Sequence, residues 1–141
     1  MRVFLDTNIL VEVLLNRPAF VADSESLILR CEVLGAEILV AWHGLATAYY
    51  LLKRGRTEQD ALIEVDKILA WARVADCTDA SARRARSLGF ADFEDALQAV
   101  AAEAGAADWL VTRNTSDFAR SRIPVLTPSQ FLQRFPLPQS H

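Results

Sequence analysis

The stretch DFEDALQAVAAEAGAADWLVTRNTSDF, residues 92–118, decides the fold class, because it holds a helix and a strand in series. Apolar residues recur at helical spacing after Asp92, which predicts a helix that starts there and ends at Gly105. They are Phe93, Ala96, Leu97, Val100, Ala101 and Ala104. The apolar run 109–112 then predicts a strand that is buried on both faces, as strands of parallel sheets are.

The same alternation of strand and helix extends in both directions along the chain. Strands are predicted at residues 1–5, 38–41, 74–77, 109–112 and 123–126, and Pro124 places the last of them at a sheet edge. Helices are predicted at 9–16, from 23 or 24 to 34, at 42–54, from 58, at 79–88, at 92–104 and from 128. Asn8 is the predicted cap of the first helix and Pro18 its stop. This order predicts a parallel sheet with helices on both faces, in a single domain over residues 1–141.

Composition and charge exclude several classes of protein. The chain has 141 residues, 52% hydrophobic and 23% charged, which is enough apolar material for a core and excludes disorder. Apolar runs stay short of the roughly 18 residues of a membrane span, and two Cys with two His do not make a Cys/His zinc site. A net charge of −3 excludes a general basic coat for nucleic acid. Because Asp6 interrupts the N-terminal apolar run, we expect no signal peptide and a reducing, cytoplasmic setting.

Acidic side chains collect where two of the predicted strands end. Asp6 follows the first strand, and Asp117 lies just beyond the fourth, while Asp92, Glu94 and Asp95 stand at the start of the long helix. If these strands are neighbours, the carboxylates meet at one edge of the sheet. Two carboxylates about 4 Å apart repel by roughly 4 kcal/mol at an effective dielectric near 20, so a cluster requires protons or a cation. Oxygen donors favour Mg²⁺ or Mn²⁺. Taken singly, each acid also fits a cap or turn role.

Four blocks of sequence resemble the PIN-domain family, in particular the VapC-like ribonuclease toxins of type II toxin–antitoxin pairs. They are FLDTN at 4–8, DFEDALQAVAAEAGA at 92–106, LVTRNTSDF at 110–118 and IPVLTPSQFL at 123–132. The resemblance implies a three-layer α/β/α sandwich with a mainly parallel five-stranded sheet, in which the first and fourth strands are neighbours. It implies an endoribonuclease dependent on Mg²⁺ or Mn²⁺ that cleaves RNA by metal-activated water. It also implies a cognate antitoxin and a homodimer, while the short apolar runs predict no membrane association. Phe20, Tyr49 and Tyr50 are candidate contacts for the antitoxin.

The resemblance also implies roles for individual residues. Asp6 and Asp95 are the expected principal metal ligands, and Asp117 and Asp92 the acids that complete the metal shell. Asn114 stands where many members carry a further acid, and joins Asp6, Asp95 and Asp117 as a catalytic candidate. The expected substrate-binding residues are Asn8, Thr112 and Arg113, the first two supporting the loop and Arg113 contacting a phosphate.

Two departures from the family pattern keep a second function open. The helix WHGLATAYYLLKR, residues 42–54, lacks the Glu that many members carry there, with Thr47 near the expected position, and Asn114 replaces an acid. Both favour a catalytically degenerate PIN-like module that binds RNA or a protein. A phosphoryl-transfer domain of the receiver or haloacid-dehalogenase kind is disfavoured. Asn8 stands where the dehalogenase pattern requires Asp, and the only lysines, Lys53 and Lys67, come too early for a receiver.

Overall fold

The fold is built on a parallel five-stranded sheet with the strand order β3–β2–β1–β4–β5. The structure is a computed structural model that describes residues 1–16 and 21–139. The strands are β1 (Arg2–Leu5), β2 (Glu37–Val40), β3 (Ala72–Val74), β4 (Trp109–Val111) and β5 (Val125–Leu126). All four pairings are parallel, and β1 at the centre contacts both β2 and β4. The expected sheet is therefore confirmed, with β5 at an edge beside β4.

Seven α-helices and one 3-10 helix connect the strands within the described residues. They are α1 (Thr7–Leu14), α2 (Val21–Leu34), α3 (Trp42–Leu52), α4 (Glu58–Trp71), α5 (Asp79–Ser87), α6 (Phe93–Ala104) and α7 (Pro128–Arg134), with the 3-10 helix at Thr115–Phe118. Helix α7 begins at the predicted capping box, in which Thr127 and Gln130 exchange hydrogen bonds.

Side chains alternate across the sheet and divide the core into two layers. Val3 and Leu5 of β1 face a cluster with residues of α1, α2, α3, α4 and α7. Phe4, between them, faces the opposite layer with Ala99 and Ala102 of α6. Helix α5 packs outside α6 in a smaller cluster around Ala85. The chain is thus a three-layer α/β/α sandwich, as expected.

Several predicted boundaries differ from the structure, among them those of α1, α2 and β3. Helix α1 begins at Thr7, not Ile9, because the Asp6 side chain accepts the Asn8 N–H and caps the helix two residues earlier than an Asn8 cap would. Helix α2 already begins at Val21, and Pro18, the predicted stop of α1, lies outside the described residues. Strand β3 was expected at 74–77 but lies at Ala72–Val74, because α4 runs directly into it and pairing with β2 sets its register.

The buried face of α6 also differs from the predicted stripe. Phe93 is 51% exposed and Ala104 is exposed, although both belong to the helical repeat. Buried instead are Gln98, Ala99 and Ala102, since α6 lies between the sheet and α5 and therefore buries two sides. A buried glutamine in this sandwiched helix needs hydrogen-bonding partners.

The pairing of β1 with β4 brings two sequence-distant loops together at the carboxyl edge of the sheet. Leu5 is in register with Val111, and the Asp6 N–H continues the ladder by donating to the Val111 carbonyl at 3.0 Å. Asp6 and Thr112, the next residues on each strand, are therefore neighbours. Cys31 and Cys77 are both free. None of the helices in the described part of the chain is both long and apolar enough to span a membrane.

Candidate active site

Asp6 is a buried carboxylate at the carboxyl end of β1, with only 2% of its surface exposed. The Thr112 hydroxyl donates to its Oδ2 at 2.7 Å, and the Gln98 amide donates to its Oδ1 at 2.8 Å. Burial raises the pKa of Asp6, while the hydrogen bonds from Thr112, Gln98 and the Asn8 backbone oppose that rise. Both oxygens of Asp6 are thus oriented by other elements of the fold.

Three more carboxylates meet at the start of α6. Ligand oxygens of Asp92, Glu94 and Asp95 lie within 4.8 Å of one another. Asp92 is also the helix cap and accepts the Asp95 N–H at 3.2 Å. Asp92 therefore caps α6 and also belongs to the acidic cluster. Its role as a helix cap does not exclude a role in the site.

Asp95 is the electrostatic centre of the cluster. Its pKa is raised to about 7, first by burial and then by the charges of Asp92, Glu94, Asp6 and Asp117. Four other carboxylates therefore act on this one group, although Asp6 and Asp117 do not belong to the tight group of three. This convergence is what adjacent carboxyl ends of β1 and β4 predict.

Gln98 is a site residue that the sequence analysis missed. Its amide nitrogen donates to Asp6 Oδ1 at 2.8 Å and lies 3.0 and 3.1 Å from the two carboxylate oxygens of Glu94. Its amide oxygen accepts the backbone N–H of Thr7 at 2.9 Å and the Thr7 hydroxyl at 3.2 Å. Because Thr7 occupies the oxygen, the nitrogen must point to the two acids. The one signal in the sequence is a polar residue within a small-residue helix face, one turn after Glu94.

His43 extends the cluster from α6 to α3. Its Nε2 lies 3.2 Å from Glu94 Oε1, and this contact lowers the pKa of Glu94 more than any other influence on that group. Helix α3 carries no acid, but it places an imidazole against an acid of the site. Thr47 bonds instead to the His43 carbonyl within the same helix.

Residues of the loop after β4 contact two different parts of the molecule: some lie at the site, and Arg113 contacts α1 and α2. Thr112 orients Asp6 and also accepts the Asn114 N–H at 3.1 Å. The Asn114 and Asp117 side chains are exposed at the 3-10 helix, and Asn8 is exposed on the first turn of α1. Asp117 acts on Asp95 through its charge.

Arg113 faces the scaffold, where it pairs with a buried acid. Its Nε lies 2.8 and 2.9 Å from the two carboxylate oxygens of Glu12, which is 4% exposed on α1. The Ser24 hydroxyl donates to Glu12 Oε2 at 2.8 Å, and Asp23 Oδ2 lies 3.9 Å from Arg113 Nη1. The guanidinium expected to contact a phosphate is thus held by α1 and α2.

Glu12 is a second residue that the sequence analysis missed. The sequence feature that could have identified it is an acid inside the apolar run ILVEVLL.

The donor set at this edge of the sheet suits a hard divalent cation. The site offers carboxylate oxygens, from Asp6, Asp92, Glu94 and Asp95, and these are the ligands that hard cations prefer. The described residues place no thiol and no cluster of imidazoles among them. Asp92 is exposed, so a cation held there would be accessible to a phosphate ester and would bring positive charge to it.

Comparison with known proteins agrees with the fold. A family model described as PIN domain matches residues 2–116. A chain in the crystal structure of VapBC2 from Rickettsia felis bound to a DNA fragment from their promoter is similar, with a TM-score of 0.67 and 20% identity over 90% of this chain and 98% of that chain. A chain of VapBC-1 from nontypeable Haemophilus influenzae has a TM-score of 0.69 and 15% identity over 92% and 99% of the two chains. No curated protein matches by sequence. Since the family model spans most of its length, the chain belongs to the PIN-domain family.

Proposed function

We propose that this protein is a divalent-metal-dependent endoribonuclease and the toxin of a toxin–antitoxin pair. The observation that supports it best is the gathering of carboxylates at the start of α6, where ligand oxygens of Asp92, Glu94 and Asp95 lie within 4.8 Å of one another. Burial and the charges of four other carboxylates raise the pKa of Asp95 there to about 7. Clusters of this kind are typical of sites that bind cations or carry out acid–base chemistry. PIN-family membership and the fold shared with VapBC chains supply the functional class.

Asp6, Asp95 and Asp92 are the proposed ligands of Mg²⁺ or Mn²⁺, with Asp117 completing the shell. Glu94, which lies in the same cluster, joins this set. A divalent cation held there supplies positive charge against a phosphate and lowers the pKa of a water molecule. Gln98 and Thr112 keep both oxygens of Asp6 oriented, and Asn114 lies on the adjacent loop as a neutral oxygen donor. Asn8 supports Asp6 through its backbone N–H.

Arg113 takes a positioning role in this proposal instead of the phosphate contact that the resemblance implies. Its bond to buried Glu12 joins the loop of Thr112 and Asn114 to α1. Holding that loop fixes the direction of the Thr112 hydroxyl, and through it the orientation of Asp6.

RNA cleavage by the purified protein tests the proposal. We expect cleavage with Mg²⁺ or Mn²⁺, none with EDTA, and a loss of roughly 100-fold or more in Asp6→Asn and Asp95→Asn, since a direct ligand matters more than its supporting residues. Asp66→Asn, at an exposed acid of α4, is the matched control and should leave the rate unchanged. Cleavage that survives EDTA contradicts the proposal, and binding of RNA without any cleavage favours the degenerate module.

An antitoxin partner and a homodimer belong to the same proposal. The fold neighbours are chains of VapBC complexes. An apolar groove of about 320 Å³ between α3 and α4, lined by Leu45, Tyr49 and Leu62 with Trp42 at one end, offers a surface for an apolar segment of the antitoxin. Tyr50 is exposed on the same helix, and Phe20 lies outside the described residues.

Co-expression with the neighbouring reading frame tests the partner. We expect a small protein to co-purify with the wild type and to be lost from Leu62→Asp, while light scattering gives a dimer mass for the toxin alone. A Leu62→Asp protein that retains the partner removes the groove from the proposal, and a monomer mass removes the homodimer.

A further inference from the structure

Trp42 is the most exposed large apolar residue of the described chain, with 74% of its surface accessible. It is the first residue of α3, separated from the carboxyl end of β2 only by Ala41, and β2 lies two strands from β4. Beside it lies a cavity of about 210 Å³, whose lining includes Trp42, His43, Cys77, Thr78, Ser81 and Leu97. A largely exposed indole that lines a cavity is a feature that packing alone does not require.

The cavity adjoins the candidate active site. His43 forms one wall and lies 3.2 Å from Glu94 through its Nε2. Leu97 forms another wall, one helical turn after Glu94 on α6. His43 and Leu97 therefore lie between the cavity and the acidic cluster. A ligand with one group at the cluster could place the next group along its chain in the cavity.

The chemistry of the walls differs from that of the cluster. None of the described lining residues is Asp, Glu, Lys or Arg, and the imidazole of His43 already contacts Glu94. Burial raises the pKa of the Cys77 thiol, as does the charge of Asp76, so this wall is a neutral thiol at neutral pH. A phosphate would find no cation here, whereas a flat heteroaromatic ring would find apolar walls, two hydroxyls and an indole face.

We propose that this cavity is the subsite for one base of the RNA, the base next to the phosphate at the acidic cluster, and that Trp42 stacks on it. The inference rests on the proposed function, because it places the phosphate at that cluster. RNA is favoured over a protein side chain as the occupant because the cavity is adjacent to the cluster, with His43 both lining the cavity and contacting Glu94. A protein segment is better served by the longer groove between α3 and α4. Trp42 borders both surfaces, so a partner in that groove would compete with RNA for the indole.

Binding of short single-stranded RNA to the full chain tests this subsite. The probe is a set of oligoribonucleotides, one intact and the others with a single abasic position, with Ca²⁺ in place of Mg²⁺ so that binding is measured on intact RNA. We expect Trp42→Ala to weaken binding of the intact RNA by roughly 5- to 150-fold, the range for loss of one stacked base. Tyr50→Ala, an aromatic of similar exposure on the same helix that does not line the cavity, is the matched control.

The abasic series distinguishes stacking from a general effect on the surface. The wild type should lose affinity at one abasic position, and Trp42→Ala should lose almost nothing further there. Equal effects of Trp42→Ala and Tyr50→Ala, no RNA binding by the wild type, or loss of only the protein partner in Trp42→Ala would each overturn the subsite. RNA binding that depends on Trp42 without metal-dependent cleavage supports the subsite and contradicts the nuclease. Metal-dependent cleavage whose KM is unchanged in Trp42→Ala supports the nuclease and contradicts the subsite.

Discussion

The side-chain amide of Gln98 does for Asp6 and Glu94 part of what a cation would do, since its N–H groups bring partial positive charge to both carboxylates. The nitrogen lies 2.8 Å from Asp6 and 3.0 Å from Glu94. Thr7 prevents the amide from turning over. A fully buried Gln with all of these contacts is a positioning residue of the site, and its contribution should depend on whether a metal is bound.

Replacing Gln98 by Leu should therefore destabilise the metal-free protein more than the metal-bound one. The variant keeps the volume but leaves Asp6 with one donor fewer, which we expect to lower the free energy of unfolding by about 2 kcal/mol in EDTA. Mg²⁺ should restore more stability to the variant than it adds to the wild type. Melting temperatures with and without Mg²⁺ measure this, with exposed Gln133→Leu as control. Equal losses in both conditions would mean that Gln98 only packs.

Asp95 should make the stability of the metal-free protein depend on pH. Its pKa is raised from 3.8 to about 7 in the folded state, so its stabilising contribution is complete in acid and is lost as the pH rises through about 7. The raised pKa of Asp6 acts in the same direction, whereas the lowered pKa of Glu94 matters only in acid. In EDTA at about pH 8, Asp95→Asn should be more stable than the wild type, with a smaller difference at about pH 5. Urea unfolding at both pH values checks this, and a less stable variant at the higher pH would refute it.

At the scale of elements, a buried ion pair joins α1, α2 and the loop after β4. Glu12 accepts from both Arg113 and Ser24, and the pair links residues 101 positions apart in sequence. The side chains are 6% and 21% exposed, so water screens the pair little. This contact holds the base of the loop that carries Thr112 and Asn114.

Breaking that pair on one side should strongly destabilise the fold. Glu12→Gln removes the nearer and more buried of the two carboxylates that face Arg113, since Asp23 lies 3.9 Å away and is exposed, and we expect a loss of about 3 kcal/mol in the free energy of unfolding. Asp79→Asn is the control, because the Asp79–Arg83 pair is exposed on α5 and should contribute less than about 1 kcal/mol. Similar losses in both variants would show that the Glu12 pair is no stronger than a surface pair.

On the scale of the whole molecule, the strand order gathers acids that the unfolded chain keeps far apart. Asp6 and Gln98 are 92 positions apart, yet they touch because β1 lies beside β4 and α6 packs on that face. A divalent cation should therefore bind the folded chain and hardly bind the unfolded one. Its binding free energy then adds to the stability of the fold.

Mg²⁺ should accordingly raise the melting temperature of the wild type. At a concentration about 100 times the dissociation constant, the added stability is about 2.7 kcal/mol. Asp6→Asn and Asp95→Asn should respond little, and Asp66→Asn should respond as the wild type does. A wild-type protein with no thermal response to Mg²⁺ or Mn²⁺ would argue against the metal centre.

Local patterns predicted the elements because each depends on residues close in sequence. Helix α6 is capped by Asp92 at its start and by Gly105 at its end, as the cap residues and the apolar spacing predict. Helix α7 begins at the predicted capping box of Thr127 and Gln130. β3 was misplaced because its start depends on pairing with β2. The acids at the strand ends were identified in the same way, and their metal-binding and catalytic roles stay predictions.

The sequence by itself determined the alternation of strands and helices, the family and the candidate acids Asp6, Asp92, Asp95 and Asp117, since these follow from short motifs and periodicity. Only the tertiary structure decided that Gln98 bridges Asp6 and Glu94, that His43 reaches Glu94 from α3, and that Arg113 is held by Glu12. The physical reason is that a polar side chain takes its role from its partners. Three of these four contacts join elements more than 50 positions apart, which no local pattern encodes.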